Sequence, residues 1–223
     1  TAADEVVAVT LERYPTLGGV TISNTTLTSL PPIPPTVTGS LTITDNPDLT
    51  AADISNVTSI GGSLTVTGNG NAPVTVGSPT VGGGVTLTTG SGSISVGSPV
   101  AVNISLSTGS GTVSMGSPST AGNVTLTTGS GSISMGPAAS VGGNLTLTGG
   151  SGFVDVTGAN VTGTTSITTV GSPGVAATTA GGTTTVTMTN GVATMSVDLP
   201  TGAFSAPVAF SIAPVDPAAM PGT

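Results

Sequence analysis

Val85-Thr86-Leu87-Thr88-Thr89-Gly90-Ser91-Gly92-Ser93-Ile94-Ser95-Val96-Gly97-Ser98-Pro99 decides the fold. Apolar and polar residues alternate with a period of two, so Val85 and Leu87 face one side of a strand and Thr86 and Thr88 the other. Gly90-Ser91-Gly92 reads as a turn. A second short strand follows, with Ile94 and Val96 inward, and Gly97-Ser98-Pro99 turns the chain again. The pattern returns at Gly109-Ser110-Gly111 with Val113 and Met115, at Gly129-Ser130-Gly131 with Ile133 and Met135, and at Gly150-Ser151-Gly152 with Val154 and Val156. Glycine at these corners is expected to supply positive φ without a Cβ penalty.

The same opening strand recurs along the chain at Val20, Leu41, Leu64, Val85, Ile104, Val124, Leu145, Thr165 and Val186. The spacing stays near twenty residues. A constant period of this size predicts a solenoid, because one repeat cannot bury its own apolar side and must stack on copies of itself. The expected fold is therefore all-β: a single parallel β-solenoid, or β-helix, of about nine coils of roughly twenty residues each. A right-handed winding is expected, and a rod on the order of 40 Å long follows from strand spacing. Residues 1–17 differ. Thr1 and Asp4 suit a capping box, Val6, Val7, Leu11 and Tyr14 fall at helical spacing, and Pro15 stops the run, so an amphipathic helical cap is predicted there. Residues 18–198 form the solenoid. Residues 199–223, with Phe204, Phe210 and several prolines, read as a folded-over cap or a docking arm.

Composition removes several classes of function. The 223 residues include no Cys, no His and one basic residue, Arg13, for a net charge of −8. One arginine cannot neutralise a phosphate backbone or an anionic membrane, so neither nucleic acid nor an anionic lipid surface is an expected partner. No apolar run reaches the length of a bilayer span. Charged residues make up 4% of the chain, yet 36% is hydrophobic and mean hydropathy is +0.44, which argues against disorder. Without His, Cys or Lys there is no conventional base, thiol or amine, and Asp155 is the one acid in the regular coils between Asp53 and Asp198. An enzyme is not expected, nor a cofactor or a bound metal. A start at Thr1 without Met reads as a processed, exported form, and the lack of charge and thiols suits an extracellular or cell-surface setting.

The runs Gly39-Ser40-Leu41-Thr42-Ile43-Thr44-Asp45-Asn46-Pro47-Asp48-Leu49-Thr50 and Asn56-Val57-Thr58-Ser59-Ile60-Gly61-Gly62-Ser63-Leu64-Thr65-Val66-Thr67-Gly68-Asn69 resemble the repeats of receptor L-domains and related leucine-rich surface proteins. The resemblance covers about residues 18–70. It implies a parallel solenoid and a cell-surface or extracellular location, without carrying over a ligand. Later coils lose the Asn and resemble β-solenoids in general.

Four sets of residues are candidates for function. The first is an outward ladder: Thr42 and Thr44, Thr65 and Thr67, Thr86 and Thr88, Ser105 and Ser107, Thr125 and Thr127, Thr146 and Thr148, Ser166 and Thr168, Thr187 and Thr189. This Thr-x-Thr array looks like the ice-binding face of certain β-solenoid antifreeze proteins, and threonine is also simply a good exposed strand residue. The second is six Asn-x-Ser/Thr sequons, at Asn24, Asn56, Asn103, Asn123, Asn144 and Asn160, which either carry glycans or cap turns. The third is Val6, Leu11, Phe204 and Phe210, apolar residues near the two ends that suit assembly contacts. The fourth is Asp45, Asp48 and Asp53, which read as a solvated turn with Asx-type bonds, since EF-hand spacing is absent. Together these features lead to an extracellular structural protein, a subunit of a surface filament or matrix joined to copies of itself through its ends or tail. The alternative is an ice-binding or surface-adhesion module, with ice, a glycan or a solid surface as partner.

Overall fold

A computed structural model describes residues 16–178, 182–189 and 194–214. The described chain is an all-β parallel solenoid of about nine coils, with no helix among the described residues. Residues 1–15, where most of the expected helical cap falls, lie outside the described residues, and so do its Val6 and Leu11. Thr16–Leu17, assigned above to the same cap, already form a strand paired with Thr36–Val37.

Each regular coil contributes to three sheets rather than two. The wide sheet holds ten strands, from Val20–Ser23 through Val85–Thr89 to Thr184–Thr189 and Thr194–Leu199. A second sheet of eight runs from Ala52–Ile54 through Ile94–Val96 to Val175–Thr178 and Ala209–Ile212; serines dominate its outer surface, and it is called the serine sheet below. The third, narrow sheet is built from two-residue strands such as Thr80–Val81, Ser119–Thr120 and Asn160–Val161. Two residues are too short for an alternating pattern to show in the sequence. The narrow sheet becomes visible only when its inward members line up: Val37, Ile60, Val81, Ala101, Thr120, Val141 and Val161 are all buried. All three sheets enclose one apolar cluster.

Register makes that cluster a set of continuous columns. On the wide sheet Leu41, Leu64, Val85, Ile104, Val124 and Leu145 stack in succession, each in the same place on its coil. On the serine sheet Val74, Ile94, Val113, Ile133, Val154 and Val175 do the same. Each such side chain taken out of water stabilises by about 1.5–3 kcal/mol, so the repeat supplies its own core without disulfide or metal. The column on the wide sheet ends in two polar residues, Thr165 and Thr184. Both are buried, and Thr184 Oγ1 has no hydrogen-bond partner among the described residues.

The corner glycines work differently from the expectation. Positive φ is found at Gly68, Gly70, Gly158, Gly171 and Gly202, not in the Gly-Ser-Gly turns. At Gly131 the constraint is proximity: a Cβ there would run into the carbonyl of Gly111 on the preceding coil. Glycine is used at these turns because the coils approach each other through backbone.

Two antiparallel strands follow the last parallel coil. Thr194–Leu199 pairs antiparallel with Thr184–Thr189, and Ala209–Ile212 pairs antiparallel with Val175–Thr178. These two strands reverse the sense of an otherwise parallel stack and close two of the three sheets.

Candidate functional site: the outer face of the wide sheet

Because side chains alternate across a strand, burying one set of residues forces the other set outward in equal register. On the wide sheet this produces two straight columns of hydroxyls. One runs Thr21, Thr42, Thr65, Thr86, Ser105, Thr125, Thr146, Ser166 and Thr185. The other includes Ser23, Thr44 and Thr67, then Thr88, Ser107, Thr127, Thr148, Thr168 and Thr187. Members of one strand lie about 6.6 Å apart and neighbouring strands about 4.8 Å apart. No charged residue enters either column until Asp198, which faces Thr185 on the final antiparallel strand. Thr86, Thr125 and Thr146 stand on strands paired on both sides, so the backbone register sets their spacing.

The register corrects the sequence reading at both ends. Thr21 and Ser23 extend the array by one coil. At the other end Thr165 stands opposite Thr184, not Val186, so the last pair is Thr185 and Thr187. Thr189 lies one step beyond, opposite Val170, and is outside the two columns. The signal was obscured because the coil opens on a buried threonine where an aliphatic residue was expected.

Two kinds of corner hold this face in place. In the first coils Asn24, Asp45 and Gly68 occupy equivalent positions with φ of 54°, 57° and 69°. Just beyond them Asn46 and Asn69 turn inward and are buried. Asn46 Nδ2 donates to the carbonyls of Ile22 (3.1 Å) and Thr44 (3.0 Å) and to Asn69 Oδ1 (2.9 Å). Its Oδ1 accepts from the Thr25 N–H (3.1 Å) and the Thr25 hydroxyl (2.6 Å). Asn69 Nδ2 donates to Ile43 O (2.9 Å). Over the next three coils a buried threonine takes over: Thr89 Oγ1 donates to Ala72 O (2.8 Å), Thr108 Oγ1 to Gly92 O (2.8 Å) and Thr128 Oγ1 to Gly111 O (2.9 Å). Thr128 Oγ1 also accepts the Gly131 N–H (3.0 Å), tying both coils at the turn.

The sequon asparagines separate by geometry. Asn103, Asn123 and Asn144 stand one above the other, and each of the first two accepts the next one's backbone N–H at 2.8 Å. Asn144 Oδ1 accepts the Thr164 N–H at 2.9 Å. All three are exposed. Asn56 Nδ2 donates to Ile33 O (2.5 Å). Asn24 sits at the left-handed corner, and Asn160 points outward from the narrow sheet. The turn-capping role is thus present at the column of three.

Of the apolar end residues, Phe204 is exposed in the segment after the wide sheet, while Phe210 is half-buried against the core of its own chain. Asp45, Asp48 and Asp53 stay apart in role: Asp45 holds the left-handed corner, and Asp53 Oδ1 accepts the Ser55 N–H (3.0 Å) in an Asx turn. Those hydrogen bonds hold the Asp53 carboxyl below its usual value of 3.8. Among the described residues no group of three or more His, Cys, Asp or Glu comes together in a way that would hold a metal ion. No described helix is long and apolar enough to cross a membrane.

Comparison with family models, curated proteins and solved structures finds no match for this chain. The β-solenoid is therefore established by the coil register alone.

Proposed function

We propose that this chain is a non-enzymatic, extracellular surface-binding rod that works through the outer face of its wide sheet, and that the surface it meets is ice. The observation that carries the reading is the pair of uncharged hydroxyl columns kept in register over nine coils. Ice is an uncharged lattice of donors and acceptors. A flat array of fixed hydroxyls can meet it without desolvating a charge and with little loss of side-chain freedom on contact, because β-branched threonine is already stiff at χ1. The absence of His, Cys and Lys from the sequence supports the non-enzymatic part of the reading. The buried Asn46–Asn69 ladder supports a relationship to receptor L-domain repeats over residues 18–70. The test is thermal hysteresis and ice-recrystallisation inhibition by the purified monomer. Activity is expected, with loss when Thr86, Thr125 or Thr146 becomes Tyr. No effect of the wild-type protein on ice growth ends this reading, and binding to crystalline polysaccharide instead would assign the face to a glycan.

A filament or matrix subunit is the second reading. It is favoured by the low charge of the strands at the ends, which leaves little electrostatic guard against edge pairing. Long filaments of the native protein under the electron microscope would establish it in place of the first.

A further inference from the structure

A third column stands beside the two hydroxyl columns of the wide sheet. It is made by the residue just before each wide strand, which faces outward as Ser105, Thr125 and Thr146 do. Backbone bonds keep it in register: the Val85 N–H donates to Asn103 O, that of Ile104 to Asn123 O and that of Val124 to Asn144 O, each at 2.9 Å. The side chains form a ladder too. Ser40 Oγ accepts the Ser63 N–H (3.1 Å), and Oδ1 of Asn103, Asn123 and Asn144 each accepts a backbone N–H of the next coil. That next coil makes room with a glycine. A Cβ on Gly122, Gly143 or Gly163 would run into the amide oxygen of the asparagine one coil before it, and a Cβ on Gly62 into Ser40 Oγ. At Gly84 the column has no side chain to house, and the next coil carries Val102 at the glycine position, aligned with Gly83 on one side and Gly122 on the other. The glycine is present where a side-chain oxygen needs it and absent where none does.

This cradle fixes each amide by its oxygen and leaves its nitrogen unused. The backbone donor decides which end of the amide is oxygen. Asn103, Asn123 and Asn144 are all exposed, and their Nδ2 groups have no hydrogen-bond partner among the described residues. Asn56, by contrast, commits its Nδ2 to Ile33 O. Each free amide carries two N–H donors and holds them in a set plane, whereas a hydroxyl has one proton that rotates. We propose that Asn103, Asn123 and Asn144 are a donor column of the binding face, and that their amide N–H groups bond the surface oxygens of ice. The inference rests on the reading of the wide sheet as an ice-binding face. It centres the contact on the coils of Ile104–Thr108, Val124–Thr128 and Leu145–Gly149, where each level presents an amide beside its hydroxyls. The amides carry no charge to desolvate, and their orientation is set before contact, so little side-chain freedom is lost on binding.

The experiment uses the full chain produced without N-glycosylation, so that all three amides are unmodified. The triple variant Asn103→Ser, Asn123→Ser, Asn144→Ser keeps an oxygen for the ladder, as Ser40 does at the same position, and removes the amide donors. It is expected to keep the circular dichroism of the wild type. The concentration giving half-maximal ice-recrystallisation inhibition is expected to rise about tenfold, for three modest donor bonds lost together. The converse pair, Gly84→Asn with Val102→Gly, builds one more level of the column and should lower that concentration about twofold. Val102→Gly alone should bring no gain. A folded triple variant with wild-type inhibition overturns the proposal, and if Thr125→Tyr is still inactive the hydroxyl face stands and the donor column alone falls. A folded added level that brings no gain overturns it as well. A wild-type chain without effect on ice growth overturns both this inference and the reading beneath it.

Discussion

The first three coils and the later ones share one core and one hydroxyl face but close their corners by different chemistry. Around Asn24, Asp45 and Gly68 the chain turns through the left-handed region, and Asn46 and Asn69 fill the inside of the bend. From Thr89 onward the chain stays out of that region in its Gly-Ser-Gly turns, and at Thr89, Thr108 and Thr128 it relies on a buried threonine hydroxyl. Asparagine offers two donors and two lone pairs, so one side chain satisfies several backbone groups of adjacent coils. Threonine offers the same two lone pairs but only one donor, on a shorter side chain, and glycine must then bring the backbones close enough for the rest. The comparison shows that a solenoid's period is set by its apolar columns, while the corner is free to use whichever polar group settles the backbone.

The contrast breaks first at Asn46. Asn46→Ala removes a buried side chain that serves Ile22, Thr44, Asn69 and Thr25, and leaves several of those groups unpaired. We expect a loss of about 4 kcal/mol in urea unfolding. Thr128→Val keeps shape but orphans the Gly131 N–H and the Gly111 carbonyl, for a loss of about 2 kcal/mol. A Thr128 variant that costs as much as the Asn46 variant would show that the two corners carry equal weight.

The third substitution goes the other way. Thr184 Oγ1 is buried without a partner among the described residues, so Thr184→Val removes a desolvation cost at nearly constant volume and should raise stability by about 1 kcal/mol. A fall in stability would place an unseen partner on that hydroxyl. The smallest effect is at Asp53. Ser55 holds its carboxyl below 3.8, so its contribution is present above that value and is lost as pH falls through the lower, folded-state value. Asp53 is exposed, which keeps the contribution small. Asp53→Asn should flatten the acid limb of the stability curve slightly, and an unchanged limb would remove the Asx turn from the account.

Much of this was legible in the sequence. The period, the parallel stack and most of the hydroxyl array followed from the alternation in Val85–Thr89 and its copies. What was not legible has physical causes. The narrow sheet uses two-residue strands, below the length at which alternation registers. Thr184 hides the last coil's start because a polar residue occupies a core position. Corner glycines in the sequence look the same whether they serve positive φ or close approach, and only the neighbouring coil tells Gly131 from Gly68. The sense of Ala209–Ile212 depends on its pairing with a strand well back in the chain, Val175–Thr178, where Ala176 faces Ser211. No local pattern announces it.

The central claim is that one face of the rod, and not its surface at large, does the binding. The direct measurement is ice-recrystallisation inhibition by two folded variants, Thr125→Tyr on the wide sheet and Ser114→Tyr on the serine sheet, both at outward strand positions. The account predicts that Thr125→Tyr loses most of the wild-type activity while Ser114→Tyr keeps it. Equal loss in both, or retention in Thr125→Tyr, would contradict it.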